Sequence, residues 1–108
     1  MNKDKEQGKF WQLDDILKSI GDQDYFLDFM HTKNIDAGII RLRPEENDTQ
    51  EPHSADELYY VIEGTGKIEI NGYDTPVRQG TIIFVPAKSK HRFHSNKEDL
   101  VILYMFGG

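Results

Sequence analysis

After Gly21 the chain breaks into short runs of β-branched and aromatic residues, each closed by a turn signal. That punctuation leaves room for little but antiparallel sheet. The runs cover residues 25–31, 37–43, 57–63, 67–71, 81–85 and 100–106, and between them stand Asn34, Pro44, Gly64-Thr65-Gly66, Asn71-Gly72, Gly80 and Pro86. Asn71-Gly72 is a dipeptide that tolerates positive φ at both positions, so a tight hairpin is predicted there. No helix alternates with these runs, which argues against a parallel sheet. Many short strands at close spacing predict an antiparallel sandwich or barrel, closed so that few edges stay open. One helix precedes them: Leu13, Ile16, Leu17 and Ile20 recur at i, i+3, i+4 and i+7, a stripe that needs the outside of a sheet to lie against. Asp14 and Asp15 suit its N-terminal end, Lys18 its last turn and Gly21 its stop. Residues 10–108 read as one domain including this helix, with the polar residues 1–9 expected to be flexible.

Charge and composition narrow the chemistry. Among 108 residues, 13 Lys plus Arg stand against 19 Asp plus Glu, a net charge of −6. An acidic surface of this kind is not built to hold nucleic acid or an anionic membrane. The longest apolar run, residues 100–106, is far short of the roughly 18–20 that span a bilayer. Residues 1–6 are polar and lead into no signal-like stretch. The absence of cysteine removes disulfides, thiolate zinc sites, Fe–S clusters and cysteine nucleophiles together, and fits the cytoplasm, the expected location.

The segment from Asn47 to Glu57 carries the chemistry. Glu51, His53 and Glu57 are three potential metal ligands within seven residues. In an extended strand Glu51 and His53 project to one face, and a turn at residues 54–56 lets Glu57 begin the next strand facing the same interior. Further histidines follow in Lys90-His91-Arg92-Phe93-His94, after Val85-Pro86. Neutral imidazole suits Fe(II), Ni, Cu, Zn and Mn, and a carboxylate adds a hard oxygen while lowering the site's charge. Two histidines and one carboxylate on one side of an ion leave positions open for a small molecule.

These residues resemble the two motifs of the cupin superfamily. In G-x5-H-x-H-x3,4-E-x6-G, His53 takes the second histidine, Glu57 follows after three residues and Gly64 after six more. In G-x5-P-x-G-x2-H-x3-N, Gly80, Pro86 and His91 fall at the expected spacings. The chain departs from the pattern at Glu51, which replaces the leading histidine, at Lys88, which replaces the glycine after Pro86, and at Ser95, which stands at the terminal asparagine. The resemblance to small single-domain, cupin-2-type barrels implies an all-β antiparallel double-stranded β-helix (a jelly roll) with one short N-terminal helix. It also implies one divalent transition metal (Fe, Mn, Ni or Zn) held by His53, Glu57 and His91, with Glu51 as a possible fourth ligand. Strand parity favours Glu51; if Pro52 bulges the strand, Gln50 turns inward instead.

Parity assigns Tyr59, Val61, Ile82, Phe84 and Phe93 to the interior, with Tyr59, Phe84 and Phe93 as candidate walls of a substrate pocket. His94 falls on the opposite face from His91 and is expected at the surface, as are Arg41 and Arg43. Residues 100–106 are apolar on both faces, so the helix or a second subunit must cover one of them, and Phe10-Trp11 is placed to anchor either. The resemblance makes a homodimer the expected assembly. Two functions stay open: a metal-dependent enzyme, oxygenase-like or isomerase-like, acting on a small molecule, and a non-catalytic barrel that binds a small ligand or metal.

Overall fold

The computed structural model describes residues 8–107. The flexible tail expected over residues 1–9 therefore lies, for residues 1–7, outside the described residues. The helix α1 spans Leu13–Ile20, followed by β1 (Phe26–His31), β2 (Ile35–Leu42), β3 (Glu57–Glu63), β4 (Thr65–Ile70), β5 (Tyr73–Arg78), β6 (Ile82–Val85), β7 (His91–His94) and β8 (Leu100–Gly107). They form a five-stranded sheet of order β1-β2-β8-β3-β6 and a three-stranded sheet of order β5-β4-β7, with every pairing antiparallel. This is the antiparallel all-β architecture with one short helix that the sequence predicts. No helix among the described residues is long and apolar enough to cross a membrane.

Alternation splits the apolar residues between two cores. Ile40, Leu42, Tyr59, Val61, Leu100 and Ile102 point from the large sheet toward Ile68, Val77 and Phe93 of the small one. Ile39, Val101, Leu103, Leu27, Phe29 and Ile62 share the other face and pack under Ile16 and Ile20 of α1. The helix thus covers the second apolar face of β8, each buried Ile adding about 1.5–3 kcal/mol. Trp11 sits edge-on to Phe29 with centroids 4.9 Å apart, while Phe10 is exposed.

Two arginines expected to be solvated hold the end of α1 instead. Arg41 donates to the carbonyls of Leu17 and Gly21, and Arg43 donates to Gly21 O at 3.0 Å and Asp22 O at 3.3 Å. They supply cationic partners to carbonyls that the helix leaves unpaired at its C-terminus.

The β4–β5 hairpin forms at Asn71 and Gly72, whose φ values of 50° and 88° are both positive. Strands β5 and β7 do not stand out in the sequence. Strand β5 buries only Val77 and carries Pro76, which an edge strand tolerates, and β7 is half histidine. The interior placement of Ile82 and Phe84 is corrected. Tyr59 pairs with Ile83 and Glu57 with Val85, so Ile83 and Val85 face the core while Ile82 and Phe84 share the outer face with Tyr60 and Leu58. All four residues of β6 are apolar, so composition gave no phase to count from.

Candidate metal centre

Strand β3 fixes the first member of the site. Glu57 opens it between β8 and β6, paired with Phe106 and Val85, and is only 2 % exposed. From the facing sheet, β7 brings in His91, also buried. His53 comes from the segment between β2 and β3, which two bonds clamp to the β6–β7 turn. Lys88 N donates to His53 O at 2.7 Å, and Ala87 N donates to Asp56 Oδ1 at 2.9 Å. Lys88 has φ of 67°, so the turn keeps its left-handed shape without the motif's glycine. Asp48 ties the same segment to β7: its Oδ2 accepts from Phe93 N at 2.8 Å and from Gln50 Nε2 at 3.0 Å.

The three side chains converge. Glu57 Oε1 lies 3.3 Å from His91 Nε2, and Glu57 Oε2 lies 3.7 Å from His53 Nε2. The His91 nitrogen is also 2.9 Å from the Tyr59 hydroxyl, which donates to Gln50 Oε1 at 3.2 Å. On the other side of the ring, His91 Nδ1 meets Ser89 O at 2.9 Å, which assigns the Nδ1 hydrogen and turns Nε2 toward the cluster. Both Glu57 oxygens are buried with no hydrogen-bond partner, because the 3.3 Å approach of His91 lacks hydrogen-bond geometry. A carboxylate so placed requires a cation or a proton.

The titration behaviour agrees. Burial opposes charge on His91, yet Glu57, the Ser89 carbonyl and Asp48 outweigh it and hold its pKa above the ordinary 6.5. Burial first and Glu57 second push the Tyr59 hydroxyl far up, so it remains a donor. The cluster attracts positive charge.

Among the described residues no group of three or more His, Asp or Glu side chains is arranged to hold a metal ion as it stands. The donor chemistry nonetheless fits one, on the evidence of the orphaned Glu57 oxygens flanked by two imidazole nitrogens. Tyr59 occupies the direction of His91 Nε2, and His53, a third exposed, stacks on Phe106 with centroids 4.4 Å apart and has no side-chain hydrogen bond among the described residues.

Glu51 is exposed at the cavity rim, and Gln50 is the side chain that turns in to Tyr59. This corrects the parity argument, because residues 43–56 contain no strand in which alternation would hold. Tyr59 serves the core and the cluster at once, and Phe93 packs edge-on against it at 5.0 Å. Phe84 lies on the outer face, away from the cluster. His94 bonds Asp74 at 2.7 Å, outside the site. Ser95 holds φ of 59°, and the next residue, Asn96, is buried and donates to Leu42 O and Glu98 O, each at 2.9 Å. The motif's asparagine is therefore displaced by one position.

Beside His53 opens a cavity of about 330 Å³, walled by Tyr25, Gln50, Phe106, Tyr104 and Asp28 among others. The sequence reading did not single out Phe106, Tyr104 or Asp28. Tyr104 OH donates to Asp28 Oδ1 across β2, and burial and then Asp28 push its pKa far up. The available signal was Gly38, a glycine inside a β-branched strand.

The chain belongs to the cupin family: the Cupin domain model matches residues 38–106, which includes every member of the cluster. It is 32 % identical over 99 residues to an uncharacterized protein of Streptomyces coelicolor, covering 91 % of this chain and 94 % of that one. A 5-nitrosalicylic acid 1,2-dioxygenase of Bradyrhizobium sp is 27 % identical over 74 residues; the match covers 68 % of this chain and 36 % of the dioxygenase. Among solved structures, an RmlC-like cupin from Shewanella frigidimarina superposes with a TM-score of 0.67 at 17 % identity, covering 76 % of this chain and 73 % of that one.

Left-handed backbone at a residue with a side chain costs about 1–2 kcal/mol, part of which glycine returns through its freer unfolded chain. Lys88→Gly is therefore expected to raise unfolding free energy by about 0.5–1 kcal/mol in urea titrations. A loss of stability would show that the lysine side chain, rather than its backbone, holds the turn.

Proposed function

We propose that this protein is a metal-dependent cupin enzyme that binds one divalent transition metal through His53, Glu57 and His91 and acts on a small molecule in the adjoining cavity. The observation that carries this reading is the buried Glu57 carboxylate, unpartnered between two imidazole nitrogens, one of which, on His53, belongs to a side chain that lines the cavity. The likeness to a dioxygenase supports oxygenase-type chemistry over isomerisation. Isomerisation also needs a free base to move a proton beside the metal; Glu51 is exposed at the cavity rim rather than turned into the cluster, and both Tyr59 and Tyr104 resist ionisation.

A divalent ion held there supplies Lewis acidity and, if redox-active, electron transfer. The chain's own groups do the rest. Glu57 offsets much of the ion's charge. Ser89 O fixes the His91 ring so that Nε2 faces the cluster. Tyr59 and Gln50 form a hydrogen-bonding arm over the cluster, held by Asp48, able to donate to an oxygen that arrives there. Aromatic side chains of Tyr25, Tyr104 and Phe106 supply apolar wall to the cavity beside His53.

Purified protein is expected to bind one equivalent of Fe(II) or Zn(II) by elemental analysis after dialysis. His53→Ala, His91→Ala and Glu57→Gln should each weaken that affinity about tenfold or more. Full occupancy in all three variants would overturn the ligand assignment. Oxygen uptake by the Fe(II) form with an aromatic substrate panel tests turnover, and tight metal without turnover would favour a non-catalytic binding barrel. Because metal and proton compete for His91, affinity should fall as pH is lowered through that raised pKa, beginning above 6.5. Metal-free protein should show the opposite trend. The raised pKa stabilises the fold fully below the unfolded value of 6.5 and that contribution is lost as pH rises through the folded value.

The proposal extends to a homodimer through the outer face of β3 and β6. Ile82 is 68 % exposed and Phe84 59 %, beside Leu58 and Tyr60, on the edge strand of the large sheet. Light scattering should give twice the 12.5 kDa chain mass for the wild type and the chain mass for Phe84→Lys. A monomeric wild type would overturn it.

A further inference from the structure

The cavity beside His53 has a direction built into it. Its wall is a run of rings that starts at the cluster. His53 stacks on Phe106 with centroids 4.4 Å apart at 18°, and Phe106 stacks on Tyr104 at 6.2 Å and 13°. The three rings lie nearly parallel in sequence, an apolar wall beside which a planar ring can pack. The end away from the histidines is polar. There the Tyr104 hydroxyl donates to Asp28 Oδ1, spanning β2 from β8 to β1.

Gly38 makes that span possible. It pairs with Tyr104 on one side and Asp28 on the other, and a Cβ at this position would collide with the Tyr104 hydroxyl and approach Leu27 O to 2.6 Å. Asp is itself depleted in strands. The carboxylate at the end of the ring run is thus held by a glycine and a tyrosine in neighbouring strands. A carboxylate offers about four acceptor positions, and Tyr104 fills one.

The charge pattern gives the sign. Asp28 and Glu51 line the cavity, and among the described residues lining it none is Lys or Arg. With a net charge of −6 on the chain, the distal end repels an anion and attracts a cation.

We propose that this cavity selects a planar aromatic ligand bearing a protonated amine at the end distant from His53, with Asp28 as the specificity-determining residue. The inference rests on the proposed function for the cavity's being a substrate site, and it names the substrate class. An aromatic acid whose carboxylate points to that end is discriminated against.

The test uses the full chain, metal-free, titrated with benzylamine, benzyl alcohol and benzoate while amide shifts are followed by NMR. Benzylamine should bind about tenfold tighter than benzyl alcohol, with benzoate weakest, and shifts should centre on Asp28, Tyr104 and Phe106. Asp28→Asn should bring benzylamine to within about twofold of benzyl alcohol. Benzoate binding as well as benzylamine, retention of the amine preference in Asp28→Asn, or no binding by any probe would each overturn the inference. Zinc titration of the same samples separates the two proposals. Zinc uptake with a benzoate preference overturns only the substrate class, whereas an amine preference without zinc uptake overturns the metal site and upholds the pocket.

Discussion

A carboxylate buried between two imidazoles is the constraint on which the rest of this structure depends. Glu57 sits at the start of a strand paired on both sides, so its backbone position cannot relax toward water. Its oxygens lack hydrogen bonds, and a low-dielectric interior makes that costly. The surroundings answer in two ways: His91 is readier to accept a proton than an ordinary histidine, and the His53 ring nitrogen lies 3.7 Å from the other oxygen. A fold built for stability alone would place an apolar residue there.

Holding that arrangement takes support from both sheets and from irregular chain. The segment between β2 and β3 has no ladder of its own. It is held by the β6–β7 turn through Lys88 and Ala87, by β7 through Asp48, and by Tyr25, whose hydroxyl accepts from Thr49 N at 3.1 Å. These ties join the two motifs of the sequence in space. The turn's left-handed lysine, the network of Asp48, Gln50 and Tyr59, and the fixed tautomer of His91 all act to orient donors at the cluster.

Much of this was legible where chemistry and local geometry coincide. The Asn71-Gly72 hairpin and the stripe of α1 follow from turn preference and periodicity, whereas the grouping of His53, Glu57 and His91 was implied by the resemblance to the two cupin motifs. Phase was legible only where polar residues alternate with apolar ones. In β3 the buried Glu57, Tyr59 and Val61 alternate with more exposed neighbours, whereas β6 is apolar throughout and its phase had to come from pairing with β3. Alternation also misled at Glu51, because it presumes a strand where the chain is irregular and Gln50 turns inward. Long-range partners were invisible: the arginines that close α1 and the Tyr104–Asp28 pair over Gly38 bring together residues 20 or more positions apart.

Anomalous diffraction from crystals of the zinc-loaded protein tests the central claim most directly. The account predicts a single strong peak about 2.0–2.2 Å from His53 Nε2, His91 Nε2 and a Glu57 oxygen, with the Tyr59 hydroxyl moved off the His91 nitrogen. A peak elsewhere, or a zinc-soaked crystal in which Glu57 keeps no cation beside it, would contradict it.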